Sequence, residues 1–209
     1  MLLAFTGGGL DAFVYLNHSH VFAAAMTGNA VFLGVAVLAH NRHEIILHTL
    51  PLIAFVTGIW LSKFLAGHLK HHAITIGLFC EILVLFAASW LPGSFPEALF
   101  VMIVAFAASY QVGSFRTVDT FAYNSTFITG NLRTAIDGLY DALNPATRRQ
   151  GLHQFRDLSL VILSFVLGAF AGAILAPRFL NHTLWILDLP LLAVLGTIFY
   201  ARPEKRAGP

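Results

Sequence analysis

A short polar motif occurs twice in this otherwise apolar chain of 209 residues. Thr27-Gly28-Asn29 in the first half recurs as Thr129-Gly130-Asn131 in the second, and each copy separates a Phe-containing, extended-looking run from a helical one. We therefore predict two helix starts, at Gly28 and Gly130, each with the preceding threonine as its N-cap. Such a cap satisfies only one or two of the first four N–H groups, so the others are free for an anion or a polar ligand oxygen.

The residue types of the motif suit a binding site of this kind. Glycine at the first helical position lets a ligand approach the backbone closely, and asparagine adds a side chain that both donates and accepts hydrogen bonds. We predict a solute-binding site between the two helix starts, formed by Thr27, Gly28, Asn29, Thr129, Gly130 and Asn131. The alternative is that the two helix starts pack against each other and bind nothing.

Three charged residues within or at the ends of apolar segments are candidates for coupling or gating. Asp11 follows three glycines, and a carboxylate at that depth costs about 2.5–3.5 kcal/mol on insertion scales, so it is expected to face a cavity or a partner. Arg116 is the candidate partner of Asp11 or of an anionic solute, and Glu81, near the middle of its segment, is a candidate proton carrier. The alternatives are an interfacial position for Asp11 and snorkelling of Arg116 to an interface.

Two further features receive weaker interpretations. Asp188 lies closer to a segment end and is followed by Pro190, which favours a helix-breaking or interfacial role. His18 and His20 precede the first motif copy and are candidates for titration near neutral pH.

Several classes of function find no support in the sequence. The ten histidines have neither a cysteine cluster nor a zinc-type spacing, so we predict no metal and no cofactor. No nucleophile elbow, P-loop or dinucleotide fingerprint is present, so we predict that the protein is not an enzyme. The net charge of +2, without a basic patch, predicts no nucleic-acid partner.

Composition predicts a polytopic membrane protein with the lipid bilayer as its main partner. Hydrophobic residues make up 57% of the chain and charged residues 11%, whereas soluble domains carry about 25% charged residues. The stretches 45–62, 98–115 and 158–177 contain no charged residue and are long enough to cross about 30 Å of hydrocarbon as helix. Two more stretches, 73–91 and 183–201, contain one acid each.

The fold class that we predict is all-α, with eight apolar segments in a single membrane domain over residues 1–209. The segments lie at about 2–17, 20–40, 47–69, 73–91, 97–117, 121–142, 157–178 and 183–201. The two motif copies, together with a Phe-Val-x-Gly match between 55–58 and 165–168, predict two pseudo-symmetric repeats at about 1–92 and 97–201.

Segments two and six leave the topology open, because each combines a strand-like approach with a helix too short to cross alone. If both cross, there are eight spans and parallel repeats; if both re-enter, there are six spans and inverted repeats. The positive-inside rule places both termini in the cytoplasm in either case. Eight short segments enclose little volume, so a homo-oligomer is compatible with the sequence.

The chain resembles the YoaK family of bacterial membrane proteins, also called domain of unknown function 1275. The resemblance rests on Gly8-Gly9-Leu10-Asp11-Ala12, on the stretches 22–29 and 126–132, and on Gln111 and Arg116. Ala25 and Val112 depart from the asparagines that are common in the family. The resemblance implies a bacterial inner-membrane protein often described as a permease, without an established activity, and it adds Gln111 to the predicted solute site.

These observations lead to one functional hypothesis and one rival. The protein is expected to be a secondary transporter or permease for a small polar or anionic solute, bound between the two motif copies. The rival is a membrane scaffold or regulatory protein that transports nothing and uses the motifs for packing alone.

Overall fold

A computed structural model of the chain describes residues 1–69, 72–115, 117–118, 121–122, 126 and 128–200. Within these ranges there are eight α-helices, one for each predicted apolar segment, together with one two-residue strand pair. The helices are α1 Leu2–Asn17, α2 Met26–Leu38, α3 Arg42–Leu69, α4 Ala73–Ala88, α5 Glu97–Ser114, α6 Ile128–Asp141, α7 Arg148–Phe179 and α8 Thr183–Tyr200. Strands β1 Thr117–Val118 and β2 Phe121–Ala122 pair antiparallel.

Helix α1 packs closely and in parallel against α7 because glycines remove the side chains between their backbones. Gly168 lies against the backbone of Phe5, and Gly172 lies against the backbone of Gly9. The contacts advance in the same direction along both helices, which sets the parallel orientation. Small residues at a helix contact are the usual way for helices in lipid to gain packing energy.

Helices α3 and α5 meet in the same manner. Gly58 of α3 lies against Ser109 of α5, and Gly113 of α5 lies against Ser62 of α3. These contacts also advance together along the two chains, so α3 and α5 are parallel. The Ser62 and Ser109 hydroxyls bond to carbonyls of their own helices, so neither hydroxyl is left unpaired in the contact.

Two other helix pairs cross in opposite directions. In α1 and α5, Gln111 donates a hydrogen bond to the carbonyl of Leu3 (3.0 Å) while Phe13 meets Phe100 at 6.2 Å between ring centroids. Between α4 and α8, Phe86 meets Trp185 at 6.2 Å, and just outside the ends of these helices Trp90 meets His182 at 5.6 Å. Both pairs are therefore antiparallel.

Helices α2 and α6 do not belong to these pairs. Helix α2 packs on α3, and α6 packs on the first half of α7, where Gly138 and Gly151 allow backbone contact. Gln154 also donates a hydrogen bond to the carbonyl of Thr134 (2.7 Å). Each of these short helices thus lies beside the long helix that follows it in the chain.

The outer surface of the helices is apolar, as expected of a protein surrounded by lipid. Val56, Trp60 and Phe170 are 67%, 66% and 64% exposed. Three helical stretches in the described part of the chain have the length and apolar composition needed to cross a bilayer: Arg42–Leu69, Glu97–Ser114 and Arg148–Tyr200. The last includes α7, a 3-10 turn at Leu180–His182 and α8.

Four details of the prediction are wrong. Helix α2 begins at Met26 after Ala25, without a side-chain cap, so Thr27 is not its N-cap. Helix α6 begins at Ile128, so Thr129 lies inside it. Residues 21–25 are irregular and not a strand. Helix α7 begins at Arg148, nine residues before the predicted segment 157–178.

Replacing Gly168 with alanine should separate α1 from α7. The added Cβ would collide with the backbone oxygen of Phe5, which cannot move without its helix. We expect a loss of about 1–3 kcal/mol, the usual cost of overpacking, measured by denaturation in detergent. Gly34→Ala is the control, since no atom lies within 4 Å of its Cβ position, and helix propensity predicts a gain of about 0.5–1 kcal/mol there. Equal stability of the two variants would contradict this account of the contact.

Candidate functional site

The carboxylate of Asp11 holds the irregular segment that leads into α2. Its Oδ1 atom accepts hydrogen bonds from the backbone N–H groups of Ala24 (2.7 Å) and Ala25 (3.2 Å). Asp11 is only 5% exposed, so these bonds form away from water. Backbone that leaves helical geometry in a membrane needs partners of this kind, because lipid offers none.

Asn29 holds the other end of the same segment. Its side-chain oxygen accepts a hydrogen bond from the N–H of Phe22 (2.9 Å), and its amide group donates one to the carbonyl of Phe22 (2.8 Å). Asn29 is fully buried. Its hydrogen-bonding groups are therefore occupied by the protein's own backbone.

The start of α2 has few groups left for an anion. The N–H groups of Met26, Gly28 and Asn29 all bond to the carbonyls of Ala24 or Ala25. The Asp11 carboxylate lies just before the helix start, where the helix dipole favours a negative charge. The first motif copy thus has an anionic partner supplied by α1.

The remaining predicted residues of the two motif copies differ in burial. Thr27, Thr129 and Gly130 are exposed, Gly28 is half-buried against the ring of Phe22, and Asn131 is buried. Gln111 is 2% exposed and contacts α1 through the bond to Leu3. Arg116 lies outside the described residues. Solute binding by all of these residues stays a prediction.

One cavity of about 540 Å³ is bordered by both helix starts. Ala25 precedes α2, Ile128 opens α6, and both line this cavity together with Asp11. Its remaining wall is largely aliphatic and aromatic side chains of α1 and α7, including Phe165 and Phe170. The Oδ2 atom of Asp11 is buried and has no hydrogen-bond partner within the described ranges.

A second group of buried acids lies where α4 crosses α8. Glu81 is 2% exposed and Asp188 is 3% exposed, and the two are close enough for their charges to interact. None of their four carboxyl oxygens has a hydrogen-bond partner in the part of the chain that is described. The interfacial position that we predicted for Asp188 is wrong, because this side chain lies inside the helix bundle.

A polar cluster closes the end of the bundle where α1, α4 and α7 finish and α5 begins. The ring of His18 lies 3.2 Å from Asn181 Oδ1 and 4.0 Å from the Glu97 carboxylate, and it stacks on Phe100 at 4.0 Å between centroids. Ser19 donates a hydrogen bond of 2.6 Å to Glu97. His18, Glu97 and Asn181 line a cavity of about 790 Å³. Burial lowers the pKa of His18 below its usual value, and Glu97 and Asn181 oppose this effect.

Sequence reasoning missed much of this arrangement. Glu97 and Asn181 come from distant parts of the chain, and neither belongs to a motif. Asp188 could have been recognised from its place as the sixth residue of an apolar helix, more than one turn from the helix start. Across the described residues, no three His, Cys, Asp or Glu side chains come together as a metal site would require.

The helical bundle, its apolar exterior and its buried polar side chains define a helical integral membrane protein. The family described as "Protein of unknown function (DUF1275)" matches residues 1–197, and the chain belongs to this family. It is similar to the UPF0700 transmembrane protein YoaK of Bacillus subtilis (strain 168), with 25% identity over 211 residues, covering 96% of this chain and 92% of that protein. No solved structure matches the chain.

Replacing Asn29 with alanine should destabilise the protein itself. It would leave the N–H and carbonyl of Phe22 without partners, at about 1–3 kcal/mol for each buried group. Denaturation in detergent measures the loss. Asn144→Ala is the control, because Asn144 is exposed and accepts one bond from Ala146. An Asn29→Ala variant as stable as this control would show that the Phe22 bonds contribute nothing.

The lowered pKa of His18 predicts a loss of stability in acid. The folded state binds the His18 proton less tightly than the unfolded chain does, so stability is full above about pH 6.5 and falls below it. We expect His18→Asn to flatten the decline in melting temperature between about pH 7 and 5, whatever its effect at neutral pH. Exposed His20 provides the control variant His20→Asn, which should keep the wild-type slope. An unchanged slope in His18→Asn would refute the assignment.

Proposed function

We propose that the protein is a secondary transporter for a small polar solute, built from two inverted repeats. The observation that carries this proposal is the cavity of about 540 Å³ bordered by the residues that open both short helices. Broken helices that meet at a cavity between two halves are the sites of solute binding in many transporters. The same short helices would be unnecessary in a bundle that served only as a scaffold.

The pairing of the helices supports the repeat. Suppose that each helix of the first half corresponds to the helix four places later. The packed pair α1–α7 then corresponds to the packed pair α5–α3, and the pair α2–α3 corresponds to the pair α6–α7. Likewise, α4 with α5 corresponds to α8 with α1. In each correspondence both helix pairs are packed. In the first correspondence, Gly58 of α3 and Gly168 of α7 occupy matching places.

The orientation of corresponding helices supports an inverted repeat over a parallel one. Helices α1 and α5 correspond to each other and are antiparallel. Helices α4 and α8 also correspond to each other and are also antiparallel. Antiparallel counterparts imply an axis that lies in the plane of the membrane. In this arrangement α2 and α6 re-enter, and the other six helices cross.

The short helix α2 fits a re-entrant segment. Helix α1 ends at Asn17, and residues 18–25 then return to the level of Asp11, six residues back along α1, where the backbone is held. Helix α2 runs from there to Leu38, and α3 follows almost at once at Arg42. The chain would thus enter and leave the membrane on one side.

The charges support a cytoplasmic position for both termini in an inner membrane. Arg148 and Arg149 begin α7, at the end of the bundle toward which α8 runs. By the positive-inside rule this end would be cytoplasmic. The cavity with His18 and Glu97 would then open on the opposite side.

The side chains that line the cavity of about 540 Å³ restrict the class of solute that it can bind. Its lining is mostly apolar, and Asp11 is the one carboxylate among the lining residues, which include no Lys, Arg or His. A carboxylate disfavours an anion, and the α2 helix start already has Asp11 as its partner. We therefore propose a neutral or cationic polar solute in place of an anionic one.

Filling the cavity tests the proposal. Ala173 lines it, and Ala173→Leu should abolish solute uptake by proteoliposomes while leaving the protein folded. Ala30→Leu is the control, because Ala30 is exposed on α2 and lies outside the cavity lining. Uptake would be screened over neutral, cationic and anionic solutes. Absence of flux and of ligand-dependent stabilisation for every solute would contradict transport.

A further inference from the structure

We propose that Glu81 and Asp188 form a proton-binding site where α4 crosses α8. The two acids come from opposite halves of the chain, and each is at least 97% buried. Glu81 lies near the middle of the 16-residue helix α4. Because α4 belongs to the first half and α8 to the second, the pair lies at the contact between the halves and not within one of them.

The surroundings of Glu81 and Asp188 require that at least one of the two carboxyls carries a proton. No ion pair reaches either carboxyl within the described residues, and none of the four oxygens has a hydrogen-bond partner there. An isolated ionised carboxylate is very costly to bury, and two of them side by side also repel each other. At least one of the two is therefore protonated.

Among the described residues, the neighbouring helices bring no Lys, Arg or His into the lining of the cavity beside Glu81. Toward Glu81, α5 contributes Tyr110, whose hydroxyl donates to the carbonyl of Ala73 (3.0 Å), and α3 contributes the apolar Leu61 and Leu65. On its own helix the adjacent titratable group is Cys80. From α8, Asp188 lies close enough for its charge to act on Glu81.

Glu81 also borders a small cavity. It has a volume of about 100 Å³, is lined by α3, α4 and α5, and has mostly apolar walls. A single water needs roughly 10–15 Å³ of such volume, so there is room beside the Glu81 carboxyl for a water molecule to deliver a proton. A hydrated metal ion needs more oxygen ligands than two carboxyls offer.

Simple packing does not account for these acids. Asp11 is equally buried but binds two backbone N–H groups, so it stabilises the fold directly. Glu81 and Asp188 have no such bonds to any described residue, and apolar residues of similar volume would cost less at these positions. An unpartnered acid pair inside a membrane protein is what proton binding requires.

The site can couple a proton to solute movement if the two halves move relative to each other. Such movement would change the distance between Glu81 and Asp188, and with it the affinity of the pair for its proton. This coupling role rests on the proposed transport function. The proton site itself does not.

Dicyclohexylcarbodiimide tests the proton site without a known solute. This apolar reagent adds to a protonated carboxyl and rearranges to a stable N-acylurea with no atom lost, whereas an ionised carboxylate does not react. The purified protein would be labelled over a range of pH, and the modified residue found by mass spectrometry. We expect labelling of Glu81 or Asp188 at neutral pH and its loss at alkaline pH.

Three variants make the test specific. In Glu81→Gln the label should move to Asp188, in Asp188→Asn it should remain on Glu81, and in the double variant it should disappear. In either single variant labelling should cease at a less alkaline pH than in the wild type, because the repelling neighbour is gone. Asp137→Asn, which changes an exposed acid, should leave labelling unchanged. Circular dichroism and a thermal melt check that each variant is folded.

The outcomes separate the site from the transport function. Failure of the folded wild type to react at either acid would overturn the proton site, as would protection by Na⁺ at fixed pH and ionic strength, which would indicate a metal cation. Labelling without any solute flux would support the site and contradict transport. Flux whose pH dependence is the same in the wild type and the double variant would overturn the coupling role.

Discussion

The arrangement around α2 depends on one constraint, the need to pair every backbone polar group that lies in lipid. Residues 21–25 leave helical geometry, so their N–H and carbonyl groups lose the partners that a helix provides. Asp11 and Asn29 replace those partners from either side of the segment. The half-helix can therefore begin inside the protein, and the cavity beside Ala25 exists because the backbone is held there.

The long helices are held together by contacts between their backbones at glycine residues. In lipid there is little hydrophobic drive for helices to associate, so close approach of backbones becomes the main source of packing energy. Gly168 and Gly172 serve α1 with α7, and Gly58 and Gly113 serve α3 with α5. These two contacts join helices from different halves of the chain, which binds the halves into one domain.

The sequence predicted the helices well and the partners of their polar groups poorly. All eight apolar segments are helices, because hydropathy over a long window is a strong local signal. Both helix starts were placed two residues too late, at Gly28 and Gly130 instead of Met26 and Ile128, because the Thr-Gly-Asn motif suggested a threonine cap. Before α2, Asp11 supplies the hydrogen bonds instead. The bond between Asp11 and Ala24 joins residues that are thirteen apart, because the backbone folds back along α1. No pattern of residue types in the sequence predicts that the backbone folds back there. The family resemblance identified the membrane class, which the comparison confirms.

The two kinds of buried acid in this protein show why burial alone does not identify function. Asp11 was predicted to couple or gate because it is an acid in an apolar segment, and its hydrogen bonds with Ala24 and Ala25 give it a structural reason to be there. Glu81 was predicted on the same grounds, yet no bond of that kind stabilises its carboxyl in the described part of the chain. The distinguishing fact is the presence or absence of a donor, since a satisfied carboxylate lowers the free energy of the fold and an unsatisfied one raises it. Burying Glu81 and Asp188, which come from different halves, costs free energy that packing does not explain. We therefore assign the proton to Glu81 and Asp188 and not to Asp11.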